Sequence, residues 1–173
     1  MFKIGDTVVY PHHGAGRILG VIEKVFQGAP RRYYNIQIIH NDLKVMVPVD
    51  GMDRAGIRHA ISGTEVEGVV GVLRDDPTRM PKDWNRRVKH NQDKIKTGDV
   101  YEVADVVRNL ALRDSEKGLS TGEKQMFGKV KHILASEFML AKDMGEADAQ
   151  RFLDDILVEI CARARCAGQG AVG

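Results

Sequence analysis

The chain has 173 residues, enough for one domain or two small ones, and 43% of them are apolar, an ordinary fraction for a protein that buries a core. Its formal net charge of +2 excludes the strong overall basic bias of many nucleic-acid binders. With no run of about 18 apolar residues and a start, MFKIGDTVVY, unlike a signal peptide, the sequence favours a cytoplasmic protein without a membrane partner.

The first 60 residues predict β-strands, because short β-branched and aromatic runs alternate with Gly, Pro and Asn-Asp punctuation. The predicted strands are 7–10, 15–26, 32–39, 43–47 and a short one near Ile57. Residues 27–30 and 40–42 have the composition of hairpin connections. Five short strands are too few for a sandwich but enough for a small SH3-like barrel.

After Ser62 the spacing of apolar residues becomes helical, which predicts a compact all-α domain and an α+β fold overall. We place the boundary near 58–62, giving a barrel over 1–60, helices over 61–161 and a flexible tail over 162–173. A capping box of Ser120 and Glu123 opens the third helical pattern. The predicted stripes are Val66, Val69, Val70 and Leu73; Val100, Val103, Ala104, Val107 and Leu110; Phe127, Val130, Leu134, Phe138 and Ala141; and Ala149, Phe152, Leu153, Ile156, Leu157 and Ile160.

Residues 79–96, RMPKDWNRRVKHNQDKIK, surround the only tryptophan of the chain, Trp84, with positive charge. Seven Lys and Arg against two Asp give the segment a net charge of +5. Pro81 and Asp83 are typical of a helix entry, with Asp83 as the N-cap. A negatively charged partner is therefore plausible for this segment.

Two interpretations of Trp84 remain open from the pattern. In the first, Trp84, Val88 and Ile95 form a core stripe, since Val88 lies about 40° and Ile95 about 20° from Trp84 on a helical wheel. The solvated face opposite would then carry Lys82, Arg86, Lys89 and Lys96. In the second, Trp84 reaches the domain edge, because a side chain in the first turn leans toward the helix N-terminus. Burial of an indole also requires an acceptor for its N–H, and the sequence offers no obvious one.

The second interpretation suits DNA, because cations hold phosphates while an apolar ring lodges against an opened base step. No set of residues resembles a helix that reads the major groove, so binding would depend on backbone charge and DNA shape.

The predicted strand 43–47 presents a possible docking surface. Lys44 and Met46 share one face of this strand because successive side chains alternate. An exposed Met beside a strand edge favours protein docking, while scattered surface apolar residues are the alternative. The faces of Ile36 and Ile38 depend on a register that the sequence leaves open.

Catalysis and metal binding have weak support, and we expect no catalytic residue, no metal ligand and no cofactor. His12 and His13 are adjacent, so on an extended segment they point to opposite faces and cannot easily share a metal ion or a proton. Cys161 and Cys166 lack CxxC spacing and a nearby His, which makes free thiols the default. The nucleotide-binding, hydrolase and metalloprotease motifs GxxxxGK[ST], GxSxG and HExxH are missing from the sequence.

Four segments together resemble the CarD/CdnL family of bacterial transcription regulators. They are FKIGDTVVYPHHGAG, LKVMVPV followed by GIR, DWNRRVK, and VADVVRNLALRDSEKGLSTGEKQMF. The resemblance covers roughly residues 1–160 in order, and the N-terminal part is also similar to the polymerase-interacting domain of transcription-repair coupling factors. It implies a Tudor-like barrel that docks on the RNA polymerase β subunit and a helical domain that touches promoter DNA at the upstream edge of the bubble.

The resemblance also implies site residues. Trp84 matches a family tryptophan that wedges at the minor groove, and Arg86 and Lys89 match family DNA-contacting basic residues, while Arg87 is added from its charge alone. Family β-subunit contacts correspond to Lys24, Met46, Ile36 and Pro48. No small-molecule substrate is implied, and the protein would be nucleoid-associated through polymerase.

The sequence leaves two alternative functions open, a protein-interaction adaptor and an enzyme. A protein-interaction adaptor would bind a peptide with its barrel and leave the basic helix merely solvated, and salt-dependent duplex binding would distinguish DNA contact from it. An enzyme using His12 or His13 would require an activity that is lost on their substitution by Ala.

Overall fold

The computed structural model describes residues 1–11 and 13–170 and has an antiparallel sheet followed by five α-helices. This α+β layout confirms the predicted fold class. The strands follow the spatial order β4-β3-β2-β1-β5, and a 3₁₀ turn, Val49–Gly51, comes directly after β4. The strands are β1 (Thr7–Tyr10), β2 (Gly14–Phe26), β3 (Ala29–Ile38), β4 (Lys44–Pro48) and β5 (Arg58–His59).

The turn between β2 and β3 is shorter than the predicted 27–30. Only Gln27 and Gly28 form it, with φ values of 51° and 80°, while Ala29 already pairs with Phe26. Positive φ at both central residues is the geometry that two-residue hairpins favour, because its twist matches that of the strands. The sheet buries its own apolar cluster on one face. Its members are Val8, Ile18, Tyr34, Ile36, Ile38, Val47, Met52 and Ile57.

The helices pack around a second apolar core. Every residue of the four predicted stripes is buried in this core or packs against it, which confirms the helical patterns. Among the described residues, no helix is both long and apolar enough to cross a membrane. The helices are α1 (Gly63–Arg74), α2 (Trp84–Lys96), α3 (Val100–Lys117), α4 (Thr121–Ala141) and α5 (Glu146–Gln169).

The last helix extends beyond the predicted boundary at residue 162. Helix α5 continues to Gln169, although every residue after Cys161 in the described chain is exposed. Ala, Arg and Gln in this stretch have high helix propensity, so the helix can continue without burying a face. Arg163 also donates to the carbonyl oxygen of Arg74. The helix therefore occupies much of the predicted flexible tail.

The sheet and the helices meet through buried polar contacts. Arg58 of β5 donates to both carboxylate oxygens of Glu137 on α4, at 2.9 and 2.6 Å, and to the carbonyl oxygen of Gly98 before α3. Burial raises the pKa of the Glu137 carboxyl, against the opposing effect of the Arg58 guanidinium. The backbone N–H of Ala15 donates to Ser136 Oγ at 3.2 Å. These directional contacts fix how the sheet sits on α4.

We predict that Arg58→Ala lowers the free energy of unfolding by about 3 to 5 kcal/mol, because it leaves Glu137 buried without its charged partner. Urea denaturation followed by circular dichroism measures the loss. The matched control is Arg31→Ala, which breaks the exposed Arg31–Asp50 pair of 2.9 Å and should change stability little. Equal losses in the two variants would contradict this account of the junction.

Candidate nucleic-acid interface

Helix α2 begins at Trp84, as the sequence predicts. The carboxylate of Asp83, the N-cap, accepts a hydrogen bond from the backbone N–H of Arg86 at 3.0 Å. This bond satisfies one of the free N–H groups of the first turn. Trp84 therefore stands in the first turn, at the edge of the helical core.

The indole of Trp84 is exposed, and its N–H has a fixed partner. The side chain is 47% exposed, and Nε1 donates to Ser120 Oγ at 2.9 Å. Behind it on α2, Val88 is half-buried and Ile95 is buried. The structure therefore supports the interpretation in which Trp84 lies at the edge, with the core stripe beginning behind it. The sequence hid the acceptor because Ser120 is 36 residues away.

The same serine caps helix α4. Ser120 Oγ accepts from the backbone N–H of Glu123 at 3.3 Å and lies 3.0 Å from Glu123 Oε2, to which it donates. The backbone N–H of Ser120 donates to the same carboxylate oxygen at 3.1 Å. The predicted capping box is therefore confirmed, and it also holds the indole of the neighbouring helix.

The structure corrects the prediction that Arg87 belongs to the cationic DNA-contacting surface. Its guanidinium is buried, with Nε donating to Glu123 Oε1 at 2.6 Å and Nη1 donating to the carbonyl oxygen of Lys82 at 3.0 Å. A buried carboxylate needs a paired cation, and Arg87 supplies it. Charge alone could not separate Arg87 from its exposed neighbour Arg86. We refer to Trp84, Arg87, Ser120 and Glu123 as the α2–α4 bracket.

The Glu123 carboxyl is ionised in this environment. Burial tends to raise its pKa, but the hydrogen bonds from Arg87 and Ser120 outweigh burial and hold the pKa below its usual value. Ionised Glu123 therefore pairs with the Arg87 guanidinium, and Arg113 Nε lies 3.8 Å from the same carboxylate.

Several cations of residues 79–96 are exposed, as is the indole. Arg86 is exposed, and Lys89 is exposed while pairing with Asp93 at 2.9 Å. Lys94 instead turns inward to Asp105 and Glu102 of α3. Because Glu123 and Asp105 lie outside the segment, two of its five excess positive charges are neutralised within the fold. The remaining exposed cations are Arg79, Lys82 and Lys96.

A groove of about 550 Å³ opens beside Trp84, between α2 and α4. Lys96 borders it on the same side as Trp84, so the prediction that Lys96 lies opposite the indole is wrong. A long lysine side chain can reach around the helix, which an angular projection of Cα positions does not capture. The groove is lined by Trp84, Val88, Gln92, Ile95, Lys96, Gly122, Gln125, Met126 and Lys129.

The predicted docking residues divide between the two faces of the sheet. Met46 pairs with Asn35 and Pro48 pairs with Tyr33, on the face away from the apolar cluster. The alternation of β2 and β3, which pair Lys24 with Arg31, puts Lys24 on this face as well. We call Lys24, Met46 and Pro48, with the outer side of β4, the sheet outer face.

Ile36 lies on the opposite face, where it is fully buried in the sheet core. The prediction that Ile36 contacts the β subunit is therefore corrected. The strand register pairs Ile36 with Val45 and Ile18, on the buried face of the sheet. The sequence left this register open. Ile36 can support the outer face only from within, by packing.

The remaining candidates do not form a catalytic constellation among the described residues. His12 lies outside these residues, and the ring of His13 packs 4.8 Å from that of Tyr10. Cys161 is a buried free thiol whose pKa is raised by burial, and Cys166 is an exposed free thiol.

We predict that Glu123→Gln destabilises the fold at pH 7 by about 2 to 3 kcal/mol, because hydrogen bonds to a charged group are lost. The folded-state pKa of Glu123 is lowered, so its contribution is complete above the usual value of 4.5 and disappears as pH falls through the folded-state pKa. The difference between wild type and variant should therefore narrow in acid. Urea denaturation of both proteins between pH 7 and pH 3 measures this difference in the free energy of unfolding.

The control for this prediction is Glu65→Gln in the exposed capping box of Ser62 and Glu65, which opens α1. This box has the same geometry without a buried guanidinium, so we expect a smaller loss at pH 7. A difference between wild type and Glu123→Gln that stays constant across this pH range would contradict the assignment.

Comparison with known proteins covers both parts of the chain. The family model described as "CarD-like/TRCF RID domain" matches residues 2–61, and the one described as "CarD, C-terminal domain" matches residues 68–154. The Bacillus subtilis (strain 168) protein named "Putative transcription factor YdeB" is 34% identical over 152 residues, which span 88% of this chain and 99% of that protein. The chain belongs to the CarD family of transcription regulators.

Proposed function

We propose that this protein docks on the RNA polymerase β subunit through the sheet outer face and contacts promoter DNA through Trp84, Arg86 and Lys89, stabilising the open complex. The match of residues 2–61 to the CarD-like/TRCF RID domain supports the polymerase partner. The observation that carries the DNA contact is the exposed indole, which Ser120 holds at the start of a helix that carries exposed cations. This function would bring the protein to the nucleoid together with polymerase.

The sheet outer face has the properties of a protein-docking surface. Met46 is 48% exposed, and a flexible thioether adapts to an apolar partner surface. Strand β4 is at one end of the sheet order, so its outer backbone groups can pair with a strand of the partner. Lys24 adds a cation to the same face, so the contact would combine backbone pairing, apolar burial and charge.

The DNA contact combines charge with a fixed apolar ring. Arg86 and Lys89 would hold phosphates, while Trp84 would lodge against the opened base step from the minor groove. The hydrogen bond to Ser120 restricts the indole before DNA arrives, which lowers the entropic cost of ordering it on binding. Arg87 would act as a positioning residue, because its guanidinium holds α2 against Glu123 and the adjacent loop.

Open-complex stabilisation requires tighter binding to melted DNA than to duplex DNA, since only differential affinity shifts an equilibrium. An aromatic ring stacked on a base contributes about 1 to 3 kcal/mol, which corresponds to roughly a 5- to 150-fold longer bubble lifetime. Arg87 and Lys94 are paired within the fold, so the net positive charge left for DNA is modest and we expect weak DNA binding by the free protein. Docking on polymerase would raise the effective concentration of the ring at the bubble.

We predict that Met46→Asp abolishes association with the polymerase β subunit, because it introduces an unpaired carboxylate into an apolar contact. A pull-down with purified β subunit measures association. Val158→Asp is the matched control, since Val158 is also exposed but lies on α5. Retained binding by folded Met46→Asp would exclude Met46 as an essential part of the docking surface.

We predict that Trp84→Ala shortens the open-complex lifetime by about 5- to 150-fold while polymerase binding is retained. Competitor-challenge assays on a preformed promoter complex measure the lifetime. Trp84→Phe keeps an apolar ring but loses the donor to Ser120, so it should give an intermediate lifetime.

Tyr101→Ala is the control for this series, because it removes another exposed aromatic ring, on α3. The open-complex lifetime measured with Tyr101→Ala should match that measured with the wild-type protein. An unchanged lifetime for folded Trp84→Ala that still binds polymerase would refute the wedge and favour a protein-interaction adaptor.

A further inference from the structure

A cluster of His40, His132 and Glu146 lies where the sheet approaches the helices. His40 is in the β3–β4 turn, His132 is on α4, and Glu146 is the first residue of α5. One nitrogen or oxygen atom from each side chain lies within 4.8 Å of the other two. His40 Nδ1 is 2.9 Å from Glu146 Oε1, and the two imidazole rings have centroids 3.9 Å apart.

We propose that these three side chains form a binding site for a divalent transition metal ion, with Zn²⁺ as the preferred metal. Two imidazole nitrogens and one carboxylate oxygen are established zinc ligands, and a three-ligand site leaves one position for water or a further ligand. This proposal does not rest on the proposed function, because none of the three residues belongs to the sheet outer face or the α2–α4 bracket.

His132 supplies an independent observation. Its Nε2 atom is buried and has no hydrogen-bond partner among the described residues, although buried polar atoms are nearly always paired. An imidazole nitrogen without a hydrogen-bond partner is available to coordinate a metal.

The space around the cluster suits one ion. A cavity of about 20 Å³ is bordered by His40, His132, Glu146 and Gln150, among others, and a volume of this size accommodates about one water-sized particle. A larger surface pocket of about 160 Å³ is also bordered by His132 and Gln150, and the half-exposed His40 and Glu146 leave the cluster accessible to solvent.

The ligand spacing is near that of a zinc site. Bonds of about 2.0 to 2.1 Å in tetrahedral geometry separate ligand atoms by roughly 3.3 Å. The separation of 2.9 Å between His40 and Glu146 is slightly shorter, and no two of the three ligand atoms are more than 4.8 Å apart. Rotations of the His40 and Glu146 side chains, which are each about half exposed, can adjust these separations.

A bound metal would join the sheet to α4 and α5 at a point separate from the Arg58–Glu137 pair. The ligands come from three separate elements, the β3–β4 turn, α4 and α5, so binding would favour the folded arrangement over the unfolded chain. The sequence predicted no metal site because none of the three residues has a ligand partner at short spacing. Their proximity is a product of the tertiary fold.

The test is a Zn²⁺ titration of the full chain by isothermal calorimetry, carried out on Cys166→Ser protein so that the exposed thiol does not bind the metal. We expect one equivalent of Zn²⁺ and a rise in Tm. Co²⁺ should give the visible absorption of a tetrahedral site. His132→Gln and Glu146→Gln should each weaken binding at least about tenfold, whereas His90→Gln, which changes a histidine on α2, should not.

Glu146→Gln keeps the test decisive if His132→Gln fails to fold, because the Glu146 side chain is half-exposed and its replacement disturbs little packing. Failure of the folded parent protein to bind one equivalent of Zn²⁺ would overturn the proposal. Equal Zn²⁺ affinity in Glu146→Gln and the parent would also overturn it, because binding would then occur elsewhere.

Discussion

The α2–α4 bracket is the constraint on which the candidate DNA surface depends. The Ser120–Glu123 capping box pairs free backbone N–H groups at the start of α4. In addition, Ser120 accepts a hydrogen bond from the indole N–H of Trp84, and Glu123 pairs with the guanidinium of Arg87. Helix caps normally serve one helix, but here the side chains of Ser120 and Glu123 reach a second. The large apolar ring can therefore stay exposed in a defined orientation, while the cations of residues 79–96 are divided between buried ion pairs and the surface.

The division of charge explains why neighbouring arginines differ in role. Arg86 and Arg87 are adjacent, yet a one-residue step of about 100° on a helix turns one outward and the other toward α4. Burial of Arg87 is stable only because Glu123 is ionised and close, and Glu123 is held by Ser120 in turn. Removal of any one of these groups would leave another polar group buried without its partner.

Much of the fold could be predicted from the sequence, because apolar periodicity depends on local chemistry. The stripes on α1, α3, α4 and α5 all face the helical core, and the Asp83 cap starts α2 where expected. The errors concern properties that only tertiary structure determines. The burial of Ile36 depends on the register of β3, and the burial of Arg87 depends on a carboxylate 36 residues away. The side of the helix that Lys96 occupies depends on how far its side chain reaches. Likewise, the Ser120–Glu123 capping box was visible in sequence while its contact with Trp84 was not.

The junction between sheet and helices links the two proposed contact surfaces. Apolar clusters fill the sheet and the helical part separately, so their mutual orientation depends on contacts between them. Arg58 makes two directional bonds to Glu137 and a third to Gly98, and Ser136 accepts from the backbone of β2. Hydrogen bonds of this kind require one geometry, whereas apolar contacts tolerate sliding. The proposed function, in which one part holds polymerase and the other a melted base step, requires a defined distance between Met46 and Trp84. The buried polar junction provides it more directly than a larger apolar interface would.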